Sequence, residues 1–286
     1  MIYDCFTFFN ELELLDIRLN ILKECVDRFV LVESTWTHSG KPKELIFKKN
    51  QHLFTEFLPF IEHVIVDDQP LIIENAWTLE RYQRNAISRG LKNLKKDDRV
   101  MVSDVDEIPS PDAIKRWNKA DAIVIFRQAM FYYYLNCVNT GKDSESYKWC
   151  GTTMAPSGYF DQPQDLRDIS IMHLGKETGN WKSLIVFMLQ WLKDKRLRKH
   201  SIKLADEGGW HFSYLGGTQR IIDKLEAFAH QEYNMQEFKN PEFIEQAIRE
   251  GKDLFGRGFS YKFVDLDSSF PEYIVKHKDE FKDLIR

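Results

Sequence analysis

Hydrophobic and polar positions alternate between two patterns along the first half of the chain. Ile2 to Phe8 is a strand-length apolar run, and Leu12, Leu15, Leu19 and Leu22 then recur at helical spacing. Phe29-Val30-Leu31-Val32, Val64-Ile65-Val66, Arg99-Val100-Met101-Val102 and Ile123-Val124-Ile125-Phe126 are short continuous runs, the pattern of strands buried on both faces. Leu79, Tyr82, Ala86, Ile87, Leu91 and Leu94 mark one face of a helix between them. This alternation predicts an α/β fold with a mostly parallel central sheet and helices on its faces.

The second half changes character. Phe131-Tyr132-Tyr133-Tyr134 reads as a strand, Gly141 to Asp168 as loop-rich, and Trp181 to Leu192 as a helix. Thr218 to Phe228 reads as another helix with Thr218 as its N-cap. Asn240-Pro241-Glu242, then Phe243, Ile244, Ala247 and Ile248, then Gly251 carry both the start and stop signals of a helix. No repeat or Pro/Gly/Ser-rich linker intervenes, so residues 1–286 read as one domain with a helical C-terminal portion.

Composition narrows the function classes. Hydrophobic residues make up 43% and charged residues 29%, ordinary globular usage that excludes disorder and collagen-like structure. The formal charge of −4 lacks the basic footprint of a dedicated nucleic-acid binder. Cys5, Cys25, Cys137 and Cys150 form no C-x-x-C pair and read as free thiols of a reducing compartment. Met1-Ile2-Tyr3-Asp4 has no basic n-region, and no apolar stretch approaches the ~20 residues that span a bilayer. The expectation is a cytoplasmic protein. The basic run Lys193, Lys195, Arg196, Arg198, Lys199 and Lys203 reads as a solvated helix end, or as a site of peripheral attachment to an anionic membrane surface.

Two segments concentrate chemistry. Val100 to Val102 runs into Ser103-Asp104-Val105-Asp106-Glu107-Ile108-Pro109, so a buried strand ends in three acids within four residues. Ligands of open α/β sheets bind beyond the carboxyl ends of the strands. Clustered carboxylates there call for a cation, and oxygen ligands suit Mg²⁺ or Mn²⁺. The alternative is an acidic turn in which Asp106 caps a helix. In Gly208-Gly209-Trp210-His211-Phe212-Ser213, glycines permit close backbone approach around a histidine flanked by aromatics. His211 reads either as a metal or phosphate contact or as a hydrogen-bonded core residue. Glu80 and Arg84 are i,i+4 neighbours, which an ordinary surface ion pair explains, and Asn85 lies just off the apolar face.

Together these segments, with Tyr3-Asp4-Cys5-Phe6-Thr7-Phe8-Phe9-Asn10-Glu11, Val32-Glu33-Ser34-Thr35 and Gly256-Arg257-Gly258, resemble glycosyltransferase family 17 over about residues 2 to 258. The resemblance implies a GT-A-type fold in which residues 1–127 bind a nucleotide sugar and residues 128–286 supply the acceptor half. It also implies a UDP-sugar donor (UDP-GlcNAc in characterised relatives), Mn²⁺ or Mg²⁺, a glycan acceptor and inversion at the anomeric carbon. On that basis Asp106 ligates the metal, with His211 reaching the metal or the diphosphate, and Asp104 lies by the donor's ribose or sugar. Glu33, Arg84 and Asn85 line the nucleotide pocket. The general base is sought among Asp206, Glu207, Glu107, Glu145 and Glu177, with Asp206 favoured. Trp149 and Trp210 are acceptor platforms, along with Tyr132, Tyr133 and Tyr134. Other UDP-sugars, such as UDP-glucose or UDP-galactose, and a catalytically silent glycan-binding protein are the competing readings. A phosphotransferase is disfavoured because no G-x-x-x-x-G-K-[ST] loop is present.

Overall fold

Among residues 1–70, 72–141, 147–177, 185 and 199–286, which the computed structural model describes (172–177 by backbone alone), eleven strands join one sheet. Eight α-helices accompany them. The centre follows the hydrophobic runs closely. β1 (Ile2–Phe8) and β2 (Arg28–Ser34) are parallel, with β3 (Ile61–Val66) beyond β2 and β4 (Arg99–Asp104) on the other side of β1.

Side chains alternate across these strands, so each strand feeds two cores. Phe6, Leu31 and Met101 face α1 (Leu12–Leu22) on one side. Cys5, Val30, Val32 and Val102 face Ile87, Leu166 and Ile169 on the other. A third cluster gathers Tyr132, Tyr133 and Tyr214 with Ile221 of α6 (Gly217–Ala227) and Ile244 and Ile248 of α7 (Pro241–Glu250).

The sheet is mixed, which corrects the expectation of a mostly parallel one. β8 (Lys148–Pro156) runs antiparallel to β4, and the long β6 (Ala122–Tyr132) runs antiparallel to β8. Strand direction depends on how the connections return, and a buried run looks the same in either direction. β6 then pairs in parallel with β9 (Ser201–Ala205) and with β10 (Gly209–Ser213). β10 also pairs antiparallel with the short β5 (Glu107–Pro109).

Other boundaries also move. The loop-rich stretch from Gly141 contains β8 and the start of α5 (Pro163–Glu177). The strand at Phe131 is the end of β6, which stops at Tyr132 because Tyr133 has φ 70°. The helix expected up to Leu94 is α3 (Ala76–Asn85), continued by a 3₁₀ turn to Gly90. α6 is capped by Gly216 in the left-handed region, not by Thr218, whose hydroxyl donates to Glu245 instead. α7 matches its signals, since the Asn240 side chain caps it and Gly251 closes it with φ 61°. The helix read at Trp181 to Leu192, Glu145, and Lys193 to Arg198 of the basic run lie outside the described residues, Ile185 apart. All four cysteines are free, and no described helix is long and apolar enough to cross a membrane.

Candidate active site

A cleft of roughly 400 Å³ opens where the parallel strands end. Thr7 to Phe9 at the end of β1, Trp36 to His38 after β2, and Asp104 to Glu107 at the end of β4 line it. The first half thus supplies one wall. The second half supplies Trp149, Arg167, His211, Lys224 and Arg257.

The acidic loop is held from behind by Arg18, a fully buried residue of α1. Its Nε and Nη2 each donate to Asp4 at 2.7 Å, and Nη2 also reaches the Ser103 hydroxyl at 2.6 Å. Nη1 donates to the carbonyls of Asp104, Val105 and Glu107 at 3.1, 3.2 and 2.8 Å. One guanidinium therefore fixes the loop backbone and leaves the carboxylates pointing forward. The sequence reading passed over Arg18, although an arginine between Ile17 and Leu19 on an apolar helix is a legible anomaly.

Each acid of the loop is paired with a cation. Asp104 accepts from Arg84 and Arg167, both at 2.8 Å. Burial opposes its ionisation, but Arg167 and then Arg84 outweigh it and hold the carboxyl well below the usual carboxylate range. Arg167 also donates to Glu107 at 2.7 and 2.8 Å, and Trp149 Nε1 adds a 2.6 Å bond to the same carboxylate. Asp106 accepts from Lys224 Nζ at 2.8 Å, and His211 Nε2 stands 3.6 Å from its other oxygen. Here too burial is outweighed, by Lys224 and then His211, and the carboxyl stays ionised far below its ordinary value. Asp106 is thus no helix cap. His211 reaches it because β10 pairs with β5, placing His211 opposite Glu107, and because the Phe212 N–H donates to the Asp106 carbonyl. The second ring nitrogen of His211, Nδ1, is buried with no hydrogen-bond partner among the described residues.

Other expected residues fall elsewhere. Arg84 lines the cleft, and its pair with Glu80 at 2.7 Å is buried within it, not on the surface. Glu33 is buried but does not line the cleft, because its carboxylate accepts the Phe47 and Lys48 N–H groups of α2 (Ile46–Asn50) and faces His63. Asn85 is likewise outside the lining, bonded to Gln162 and to the Gln164 N–H. Trp149 lines the cleft, whereas Trp210, turned the other way by strand alternation, donates to the Ser269 carbonyl. Tyr132 lines it, but Tyr133 and Tyr134 do not.

Asp206 and Glu207, two of the base candidates, stand outside the cleft. They precede His211 closely in sequence, but both are exposed, neither lines the cleft, and Asp206 pairs with Arg127 at 2.7 Å. Asp206→Asn and Glu207→Gln are expected to keep turnover within about threefold of wild type, as exposed substitutions usually do. A hundredfold loss of turnover in either variant would return the base to that turn. Arg167 and Lys224 were missed altogether, since a lone cation on a helix carries no local signal.

His38 offers a pH test. Burial pushes its imidazole below the ordinary histidine value, so it stays neutral, with Nε2 3.1 Å from Gln83 Oε1. The unfolded chain takes up that proton first as pH falls. The stability tied to neutral His38 is therefore complete above about pH 6.5 and is lost below it. Urea denaturation at pH 7.5 and 5.5 is expected to show a smaller loss in His38→Gln than in wild type. An equal loss in both proteins rejects the assignment.

A divalent cation that shares a substrate's phosphates needs only one or two protein ligands. Among the described residues no group of three or more His, Cys, Asp or Glu side chains is placed to hold an ion alone. Asp104 is a poor ligand, with both oxygens bound to arginines. The Asp106 carboxylate, with His211 Nε2 3.6 Å from one of its oxygens, offers the one carboxylate and one imidazole that a shared site of this kind needs.

The sequence profile of glycosyltransferase family 17 matches residues 1–160. Over 96% of its length the chain is similar to mammalian proteins named β-1,4-mannosyl-glycoprotein 4-β-N-acetylglucosaminyltransferase. Identity is 23% with the rat protein over 306 residues, 22% with the mouse protein and 23% with the human protein. The chain spans 53% of the length of these relatives, about half.

Proposed function

Since the chain belongs to glycosyltransferase family 17, we propose that it transfers GlcNAc from UDP-GlcNAc to a hydroxyl of a glycan acceptor, inverting the anomeric carbon. The observation that carries this reading is the cleft itself. An acidic loop ends a parallel strand there, and Asp104, Asp106 and His211 meet Arg84, Arg167 and Lys224. This is the arrangement expected of a GT-A-type donor site at the carboxyl edge of a sheet.

In this reading Thr7 to Phe9 and Trp36 to His38 hold the nucleoside, and the cations of the cleft meet the diphosphate. Asp106, with His211, holds Mn²⁺ or Mg²⁺, which supplies Lewis-acid stabilisation of the departing diphosphate. Arg167, tied to Asp104 and Glu107 together, keeps the acidic loop rigid so that no reorganisation accompanies charge development. Trp149 offers its ring to the acceptor sugar, with its indole nitrogen already engaged by Glu107. The acceptor hydroxyl must lose a proton, and the cleft holds the carboxylates of Glu11, Glu80 and Glu107 besides the two aspartates.

The test is thermal stability with a panel of UDP-sugars, each with and without Mn²⁺. Donor at ~100 times its Kd is expected to stabilise by about 2.7 kcal/mol. A shift confined to UDP-GlcNAc with Mn²⁺ supports the donor and metal together. A shift with UDP-glucose or UDP-galactose corrects the donor. No shift with any nucleotide overturns the transferase reading in favour of glycan binding alone.

A further inference from the structure

Lys224 is the cleft's lysine poised between two acids, Asp106 and Glu11. Its ammonium lies 2.8 Å from Asp106 Oδ2 and 3.9 Å from Glu11 Oε1, the two carboxylates within salt-bridge reach of it among the described residues. Glu11 is itself anchored, because Oε2 accepts the Phe9 and Asn10 N–H groups at 3.3 and 3.0 Å. Its Oε1 is therefore held facing the lysine. The lysine has little room to retreat, since only 15% of its side chain is exposed and it lies over the rings of Tyr214 and Phe228. Its helix is anchored too: Gly216 opens α6 in the left-handed region, and Arg220 in its first turn pairs with Glu13.

We propose that Lys224 is the resident counter-ion of Asp106, and that a divalent cation binds Asp106 only by moving that ammonium onto Glu11. The inference rests on the reading above that the ion sits at Asp106. Two cations at one buried carboxylate repel strongly, so occupancy by one excludes the other. The fixed Glu11 oxygen gives the displaced ammonium a second seat about an ångström further off, reached by side-chain torsion with the helix in place. In the resting protein Asp106 is thereby neutralised without metal. Lys224 thus sets how tightly the metal binds before any donor arrives.

The experiment is a titration of the full chain with Mn²⁺ alone, following free Mn²⁺ by electron paramagnetic resonance. Lys224→Met is expected to bind Mn²⁺ roughly tenfold more tightly than wild type, within the usual span of coupling between sites. Glu11→Gln keeps an oxygen for the two N–H groups but removes the second seat, and is expected to bind several-fold more weakly. Lys43→Met is the control for the general field, because Lys43 lines the same cleft but pairs with Glu33. The inference is overturned if Lys224→Met binds no more tightly than Lys43→Met, or if Glu11→Gln matches wild type. Asp106→Asn separates the two levels. If that variant still binds Mn²⁺ like wild type, the ion is not at Asp106 and the metal reading falls with the inference. If Asp106→Asn abolishes binding while Lys224→Met changes nothing, only the inference falls.

Discussion

Asp106→Asn is expected to lower metal-dependent turnover, read as UDP release, by on the order of 10³-fold while leaving the fold intact. Asp106 is the aspartate of the cleft whose negative charge is shared between a lysine and a histidine, not locked by arginines. Asparagine keeps an oxygen for Lys224 and nearly the same volume, so packing survives. What disappears is the charge that, in the proposed mechanism, holds the divalent cation against the departing diphosphate. Asp104→Asn is the instructive contrast. There the lost charge leaves two buried guanidinium groups, Arg84 and Arg167, short of an anion, so stability and turnover are expected to fall together. Paired melting curves and UDP-release assays check both. Asp106→Asn turnover within tenfold of wild type, with donor and Mn²⁺ saturating, rejects the role given to this residue.

Arg18→Met is expected to cost about 3–5 kcal/mol, the usual result of removing one partner of a buried ion pair. In a chain of this size that lowers Tm by roughly 10 °C. Asp4 is fully buried and accepts both of its charged bonds from Arg18. Methionine fills much of the volume, but it leaves an unpaired carboxylate, three loop carbonyls and the Ser103 hydroxyl without their donor. The double variant Asp4→Asn with Arg18→Met removes the stranded charge, so it is expected to recover part of the loss. Donor binding is expected to weaken in the single variant even at temperatures where it is folded, since the loop carrying Asp104 and Asp106 loses its backing. Denaturant unfolding with a loss under 1 kcal/mol contradicts this account of the loop.

The reach of the sequence is clearest at the ends of the parallel strands. Ile2–Phe8, Leu12–Leu22 and the acidic end of β4 were legible because continuous apolar runs and helical spacing report burial directly. A polar segment at the carboxyl end of such a run falls on the binding edge by topology alone. The residues that the structure places outside the cleft have equally physical reasons to be there. Asp206 is the favoured base on position along the chain, yet the glycine turn leaves it and Glu207 exposed while β10 carries His211 into the cleft. Glu33 was expected at the nucleotide, and instead it caps a short helix that no periodicity announced.

By itself, then, the sequence determined the α/β architecture of the first half, the acidic strand end, and the motif pair by which its family is recognised. Tertiary structure alone decided the direction of β6 and β8, the meeting of His211 with Asp106 across about a hundred residues, and the arrival of Arg167 and Lys224 from separate helices. Hydrophobic periodicity encodes which face of an element is buried. It carries nothing about which distant charge will complete a site, because that pairing exists only once the sheet has brought the two walls of the cleft together.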